Sequence, residues 1–298
     1  MQETPNHRGS STKMIVVATG ALLLVVMAIA ASIYLPYHRE RQVERAICAL
    51  RGEMSWEYRG PELIPEYVRK RITIWNRICA VSLEETSTSD VDLRLLRELQ
   101  CLRSIMLFNT AITDSGMEHL RGMANIEQLN LSGTQLTDTG LKQLSGMTKL
   151  RHLHLTDTAI TDAGLEQLKG LTSLEGIGLQ ETKITDAGLE KLKGLTKLEF
   201  LFLMNTAITD DGLEHLKGLP KLNWLDLRRT QISDAGLEHL KGLTQLRGLE
   251  LTHTAITDVG LEHLKGLTGL ERLHLSDTEV TPDRRAELQK ALPQLLID

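Results

Sequence analysis

The chain has 298 residues, of which 41% are hydrophobic and 24% are charged, a composition typical of a folded protein with a sizeable core. Its formal net charge of -5 argues against a nucleic-acid-binding protein. The three cysteines, Cys48, Cys79 and Cys101, leave at least one thiol unpaired within the chain, and no two of them have the CxxC spacing of a zinc or redox motif. A disulfide between Cys79 and Cys101 stays an open alternative.

An apolar run follows a polar tail at the N-terminus. Residues 1–13 are polar, whereas residues 14–37 carry no charged side chain and are almost wholly apolar. A helix of about 20 apolar residues crosses a bilayer core of about 30 Å, so residues 14–37 are predicted to be a transmembrane anchor. Tyr34 and Tyr37 stand where an interfacial aromatic belt is expected, which favours a retained anchor. The alternative is a signal peptide cleaved after the A-x-A sequence at residues 28–30.

The charges that flank the apolar run leave its orientation open. Arg8 and Lys13 precede the run, and four arginines follow it between residues 39 and 51. Taken alone, that count places the rest of the chain in the cytoplasm, but long domains are translocated regardless of flanking charge. We favour a single-pass protein of the cell membrane whose repeat region is exported.

Residues 38–77 are predicted to form a small α/β cap. The apolar spacing over residues 43–50 is helical, residues 54–58 alternate as a short strand does, and Pro65 opens a second short helix. A cap is needed because the first repeat otherwise leaves its apolar end layer in water.

Residues 78–281 repeat a 24-residue pattern, LxxLxLxxTxITDxGLxxLxGLxx, and residues 282–298 form a C-terminal cap. A fixed period in this range indicates stacked units, each of which buries the apolar face of its neighbour. Within one unit, Thr158 is predicted to bond the next coil, Thr161 to cap a short outer helix, and Gly170 to end that helix in a left-handed turn. The repeat threonine recurs without insertion at Thr86, Thr110, Thr134, Thr158, Thr182, Thr206, Thr230, Thr254 and Thr278.

One unit, LRHLHLTDTAITDAGLEQLKGLTS, resembles a leucine-rich repeat of the 24-residue kind found in bacterial proteins. With its apolar N-terminal run and small cap, the whole chain resembles bacterial single-pass membrane-anchored leucine-rich-repeat proteins. The resemblance implies an α/β solenoid with a curved, concave parallel sheet and short convex helices, a fold used mostly for protein binding.

Side chains that alternate with the repeat leucines are expected to project from the concave face, where a partner would bind. Aromatic side chains and arginine are enriched among the residues that dominate binding energy at interfaces. We therefore predict an apolar patch rimmed by charge, as a protein-binding site. The alternative is chance drift at unconstrained positions, or packing against a neighbouring segment of the same chain. The predicted site residues are Phe200, Phe202, Met204, Trp224, Asp226 and Arg228.

The sequence offers little support for catalysis. The usual nucleotide-binding, zinc-protease and hydrolase motifs are absent, and His152 and His154 lack a third metal ligand, so no enzyme, cofactor or metal site is predicted. The predicted function is a membrane-tethered scaffold that binds an unknown protein partner on its concave face. The alternative is a structural envelope protein that self-associates.

Overall fold

The computed structural model describes residues 8–64, 66 and 73–298, with the side chains of residues 8–23, 26 and 74 left out of the description. In this part of the chain, eleven strands form one sheet whose order follows the sequence from β1 to β11. The first pair of strands is antiparallel, and each later pair of neighbours is parallel. The predicted α/β solenoid, with a parallel sheet and short helices, is therefore confirmed.

Each coil of the repeat region adds one short strand and one short helix. The strands are β1 Glu53–Tyr58, β2 Asn76–Ser82, β3 Ser104–Met106, β4 Gln128–Asn130, β5 His152–His154, β6 Gly176–Gly178, β7 Phe200–Phe202, β8 Trp224–Asp226, β9 Gly248–Glu250, β10 Arg272–His274 and β11 Leu296–Ile297. The α-helices are α1 Arg8–Ala49, α2 Asp114–Leu120, α3 Asp138–Leu141, α4 Asp162–Leu165, α5 Asp186–Leu192, α6 Asp210–Leu213, α7 Asp234–Leu237, α8 Leu261–Leu264 and α9 Pro282–Ala291. The 3-10 helices are Thr73–Trp75, Asp90–Glu98, Lys142–Gly146, Glu166–Leu168, Glu214–Gly218 and Glu238–Gly242.

A single helix, α1, runs through the predicted anchor and into the predicted cap. Its C-terminal end covers the first coil, where Val43 and Ile47 are buried. Glu40 is also buried, accepts a hydrogen bond from the backbone N–H of Ile78 at 3.1 Å and faces Arg77 at 3.7 Å. Burial raises the pKa of the Glu40 carboxyl, against the opposing effects of that N–H and of Arg77. These contacts fasten α1 to the solenoid.

Two predictions for the N-terminal region fall partly or wholly outside the described residues. The predicted anchor at residues 14–37 includes residues 14–23 and 26, whose side chains are among those left out, and the helix predicted to open at Pro65 lies at residues 65 and 67–72. Among the residues that the structure does describe, none of the helices combines the length and the apolar character that a bilayer crossing requires.

The core is a continuous column of leucine and isoleucine side chains behind the parallel sheet. In the coil that begins at Leu150, the inward side chains of Leu150, Leu153 and Leu155 are completely buried. Full burial of one such side chain stabilises the fold by about 1.5–3 kcal/mol. Because every coil repeats these positions, the column holds the strands in fixed register and leaves the residues between the leucines on the outer surface.

Besides the backbone bonds of the sheet, a repeat aspartate joins each coil to the next, and the prediction that the repeat threonine bonds the next coil is wrong. The hydroxyl of Thr158 donates to the carbonyl of Leu155 in its own coil at 2.6 Å. Asp138 reaches forward instead: its carboxylate accepts from the N–H of Thr161 at 2.8 Å and from the Thr161 hydroxyl at 2.6 Å. The Thr161 hydroxyl in turn accepts from the N–H of Ala163, which makes it the predicted N-cap of α4.

This carboxylate-to-hydroxyl pairing recurs along the solenoid and is called the aspartate ladder below. Each aspartate accepts at least one bond from a backbone N–H and one from a hydroxyl, all in the following coil, and Asp114 also accepts from the N–H of Gly140. The other members join Asp90 to Thr113, Asp114 to Thr137, Asp162 to Thr185, Asp186 to Thr209, Asp210 to Ser233, Asp234 to Thr257 and Asp258 to Thr281.

The aspartate ladder explains the glycine of the TDxG sequence. A Cβ atom on Gly164 would lie 2.3 Å from Oδ1 of Asp138, closer than real Cβ contacts allow. By contrast, the left-handed stop predicted at Gly170 is wrong, because among the described glycines a positive φ occurs at Gly122 and Gly133 alone. In this coil the left-handed residue is Asp157, with φ 52°, directly before the repeat threonine.

The cysteines lie in and beside the N-terminal cap. Cys48 is exposed, and Cys79 and Cys101 are half-buried. All three are free, so the disulfide that the sequence left open between Cys79 and Cys101 is not formed. Burial raises the pKa of the Cys101 thiol, which disfavours the reactive thiolate.

Candidate functional site

The outward side chains of β5 to β10 form a surface called the sheet face below. Register brings the predicted aromatic residues together, because Phe200 of β7 pairs with Trp224 of β8 and Phe202 pairs with Asp226. Met204 follows two residues after Phe202. Phe200, Phe202, Met204 and Trp224 are half-buried. The four apolar residues thus share one part of the sheet face, and their binding role stays a prediction.

Trp224 owes its position to a glycine in the next strand. Gly248 pairs with Trp224 in the register of β8 and β9. A Cβ atom on Gly248 would lie 2.1 Å from Cε3 and 2.4 Å from Cζ3 of Trp224. The indole ring therefore covers the Gly248 backbone, which is buried. Any side chain at this position would push the ring away from the sheet.

Two histidines repeat this arrangement on the other side of the aromatic residues. Gly176 and Gly178 of β6 lie between β5 and β7. Nδ1 of His152 lies 2.8 Å from a Cβ built on Gly176, and Nδ1 of His154 lies 3.0 Å from one built on Gly178. Phe200 and Trp224 are thus bordered by β6 on one side and β9 on the other. The outward glycines of both strands are covered by rings from the preceding coil. This gives the middle of the sheet face a surface built mainly from rings.

The electrostatics of His154 favour a neutral ring. Burial lowers the pKa of His154, and the neighbouring His152 lowers it further. Near neutral pH the His154 ring is therefore favoured in its neutral form, which suits an apolar contact. Within the described part of the chain, no group of three or more histidine, cysteine, aspartate or glutamate side chains is placed to hold a metal ion.

Asp226 and Arg228, the two predicted rim charges, bind each other. Nε of Arg228 donates to Oδ1 of Asp226 at 2.9 Å, and Nη2 donates to Oδ2 at 2.7 Å. The backbone N–H of Arg228 donates to Oδ1 as well, at 3.1 Å. The Asp226 side chain is 1% exposed and that of Arg228 is 40% exposed. Asp226 therefore positions Arg228, which is the member of the pair that a partner can reach.

A charged cluster beside this pair was not predicted from the sequence. Glu250 of β9 pairs in register with Asp226, and its Oε1 lies 3.5 Å from Nε2 of His274. The other ring nitrogen of His274, Nδ1, lies 2.5 Å from Asp298. Burial raises the pKa of the Glu250 carboxyl, against the opposing charges of His274 and Arg228.

The ring-covered glycines were also missed, although the sequence held a signal for them. Glycine inside a strand often marks a place where another group approaches the backbone closely. Gly176, Gly178 and Gly248 all stand at outward strand positions of otherwise regular repeats. Their 24-residue spacing from the histidines and Trp224 would have indicated which rings approach them.

Comparisons with known proteins agree with this architecture. The sequence model of the leucine rich repeat family matches residues 100–160, 148–208 and 220–280, together more than half of the chain. The solved structure of internalin C2 from Listeria monocytogenes is 30% identical, with a TM-score of 0.55 over 68% of this chain and 80% of that chain.

Two further comparisons add no weight. A second structure from Listeria monocytogenes, the internalin inlF, covers 86% of this chain and 93% of its own at 19% identity, but its TM-score of 0.33 is too low to carry an argument. A search of curated protein sequences found no match. The family match and the likeness to internalin C2 coincide with the coils described above, and the chain belongs to the leucine-rich-repeat family.

Proposed function

We propose that this protein is a membrane-tethered scaffold that captures a protein partner on its sheet face, around Phe200, Phe202 and Trp224. The observation that carries the proposal is the pairing of Phe200 with Trp224 in adjacent strands, both partly exposed, with Phe202 on the same face. Large aromatic side chains grouped near the middle of a surface are typical anchors of protein interfaces. Leucine-rich-repeat proteins, which the chain resembles, use this face mostly for protein binding.

The covered glycines support the proposal energetically. Binding costs free energy when mobile side chains become ordered, about 0.5–1.5 kcal/mol for each flexible side chain. Trp224 already lies against Gly248, so little of its rotational freedom remains to be lost. Arg228 is likewise held by Asp226. The anchors of the surface are thus preorganised for a partner.

A binding role is proposed in preference to catalysis. The acidic residues that recur in every coil belong to the aspartate ladder, in which both carboxylate oxygens accept hydrogen bonds from the next coil. Asp138, for example, is engaged with the N–H and the hydroxyl of Thr161. Carboxylates bound in this way are poorly suited to general acid or base catalysis.

The proposed tether is residues 14–37, with the repeat region exported. Exposed apolar side chains on α1 support it: Leu24 is 69% exposed, Val25 54% and Met27 60%. Apolar side chains this exposed along one helix are expected to be covered by lipid or protein. A signal peptide cleaved after residues 28–30 is the alternative, and N-terminal sequencing of the mature chain distinguishes the two.

The test is photo-crosslinking in cells from a probe placed beside the aromatic residues. The double change Phe202→Ala and Trp224→Ala is expected to abolish partner capture. Phe108→Ala is the matched control, because Phe108 is also a half-buried outward phenylalanine but lies four coils away. Thermal melting verifies that all variants stay folded. Capture that survives the double change, or that is lost equally in the control, contradicts the proposal.

Self-association in the cell envelope is a second candidate. The solenoid ends at β11, an edge strand on which Leu296 is 67% exposed. An open strand edge can pair with another chain. Light scattering of detergent-solubilised protein decides between the two: a concentration-independent monomer contradicts self-association, and a dimer that Leu296→Lys dissociates supports it.

A further inference from the structure

The base of the N-terminal cap exposes an apolar surface where α1 leaves the solenoid. An open cavity of about 500 Å³ lies between α1 and the cap. Tyr34 and Leu35, which line it, are 54% and 53% exposed. No charged side chain is found among the lining residues that the structure describes, which are Ala30, Ala31, Ile33, Tyr34, Leu35 and Trp75.

This surface continues along α1 toward its N-terminal end. Leu24, Val25, Met27 and Ile29 are all more than half exposed. The described apolar side chains therefore extend along α1 from Leu24 to the cavity beside Trp75. A water-soluble surface rarely carries an apolar stretch of this extent, so one continuous cover is needed.

The cap limits how far along α1 the apolar side chains can be covered by lipid acyl chains. Next to the cavity, and sharing Ala31 and Leu35 with it, lies a groove of about 360 Å³. Its lining residues are Ala28, Ala31, Ser32, Leu35, Pro36, Arg39, Glu98 and Gln100. Glu98 and Gln100 belong to the first coil and lie beside the helix turns that follow Ala28. Charged and amide side chains are costly inside a bilayer core. The turn of α1 from Ser32 to Pro36 therefore lies at the level of the lipid headgroups, and the hydrocarbon core lies before it, further toward the N-terminus.

Aromatic groups occupy this same level. Tyr34 stacks on His38 with ring centroids 5.8 Å apart, and Trp75 packs edge-on against Tyr58 at 6.3 Å. The Tyr37 hydroxyl lies 3.3 Å from the Thr73 hydroxyl, which joins the helix to the segment that carries Trp75. Rings with one apolar and one polar end favour the boundary between hydrocarbon and water.

A layer of charged side chains follows on the side of the solenoid, where Arg41 is paired with Glu44 at 2.5 Å. The guanidinium of Arg41 lies over the rings of Tyr37 and Trp56, at 5.1 and 5.0 Å from their centroids. The Arg39 side chain is 63% exposed and is paired with Glu98 at 3.5 Å. The order along α1 is thus apolar, aromatic and then charged, which matches the order of acyl chains, interface and aqueous headgroup region in a lipid leaflet.

We propose that the base of the cap rests in the interfacial layer of a lipid bilayer, with Trp75 at headgroup level beside Tyr34. The inference depends on the proposed tether and goes beyond it, because the solenoid is then docked on the membrane and not held at the end of a free stalk. Since α1 is fastened to the first coil through Glu40, the docked cap fixes the direction in which the sheet face points.

Tryptophan fluorescence in lipid vesicles tests the proposal with the full chain. The protein has three tryptophans, Trp56, Trp75 and Trp224. It is reconstituted in phosphatidylcholine vesicles with and without bromine on the acyl chains near the headgroup, because bromine quenches only nearby indoles. Trp75→Phe is expected to remove the bromine-sensitive part of the emission, and Trp224→Phe, the matched control, is expected to leave it unchanged.

Each outcome of this experiment separates the docked cap from the tether. If the protein does not float with the vesicles, the tether itself is contradicted, and the inference falls with it. Flotation combined with emission that bromine does not quench, or that Trp75→Phe leaves equally sensitive, overturns the docked cap alone. A Trp75 shielded from both bromine and aqueous acrylamide also overturns it, because protein then covers the surface. Should Trp75→Phe fail to fold, the double change Trp56→Phe and Trp224→Phe leaves Trp75 as the sole reporter, with strong quenching expected.

Discussion

Replacing Gly164 with alanine is expected to break one rung of the aspartate ladder. The added Cβ would lie 2.3 Å from Oδ1 of Asp138 and 3.0 Å from Cδ1 of Leu141. Asp138 must therefore rotate its carboxylate away, and it then loses its bonds to the N–H and the hydroxyl of Thr161. The substitution adds one methyl group but removes two hydrogen bonds between coils.

The expected cost follows from these bonds. Asp138 and Thr161 are half-buried, and a hydrogen bond to a charged group contributes up to about 3 kcal/mol, part of which water restores. At about 1–3 kcal/mol each, the two lost bonds cost roughly 2–6 kcal/mol. Alanine regains about 1 kcal/mol through its higher helix propensity. The free energy of unfolding is therefore expected to fall by roughly 1–5 kcal/mol, which corresponds to a melting temperature lower by roughly 2–20 °C for a folded region of this size.

Urea denaturation followed by circular dichroism measures the effect, and the same coil supplies the matched control. A Cβ on Gly170 would meet nothing within 4 Å. Gly170→Ala is therefore expected to be neutral or to stabilise by about 0.4–1 kcal/mol. Equal effects of the two substitutions would refute the close-approach explanation.

A double-mutant cycle sharpens the test of this rung. Asp138→Ala removes the carboxylate with which the new methyl group collides, so it is expected to cost much less in the Gly164→Ala background than in the original chain. Strictly additive costs would mean that Gly164 and Asp138 do not act on each other.

Three further outcomes follow from the sheet face. Gly248→Ala should displace the Trp224 ring, because its Cβ would lie 2.1 Å from Cε3, and a red-shifted tryptophan emission measures this; an unchanged spectrum contradicts it. Arg228→Ala should lower the free energy of unfolding by about 1–3 kcal/mol in urea titrations by leaving buried Asp226 without its guanidinium, and the added change Asp226→Asn should recover part of the loss. Burial lowers the pKa of His154 in the folded chain, so as the pH falls the unfolded chain binds a proton before the folded chain does. The contribution of neutral His154 to the free energy of unfolding is therefore complete above the unfolded pKa of about 6.5, and it is lost as the pH drops through the folded pKa. His154→Gln should therefore flatten the dependence of stability on pH, and an unchanged slope would contradict this reasoning.

The sequence predicted the solenoid because the leucine spacing alone decides which side chains turn inward. Leu150, Leu153 and Leu155 are buried as expected, and the 24-residue period correctly places Phe200 beside Trp224. Because no insertion interrupts the repeat, residues that stand 24 positions apart pair in neighbouring strands. The fold and the grouping of the aromatic residues were therefore accessible without coordinates.

Contacts between side chains of successive coils were not accessible in the same way. Gly170 and Thr158 were assigned from the usual behaviour of single helices and turns, whereas the structure assigns the left-handed turn to Asp157 and the forward hydrogen bonds to Asp138. The ion pair between Asp226 and Arg228 was not predicted either. The spacing of residues shows that two side chains share a face, but it does not give their side-chain conformations.

The aspartate ladder gives the solenoid a direction. Every aspartate serves the coil that follows it, so loss of coils from the C-terminal end leaves carboxylates that water can solvate. Loss of coils from the N-terminal end leaves the N–H groups of threonines such as Thr113 without the acceptor that Asp90 supplies. A ribosome delivers the N-terminal coils first, and each newly made coil then meets an acceptor already in place. The solenoid is therefore suited to folding in the order of its synthesis, in which each coil packs against the folded coil before it.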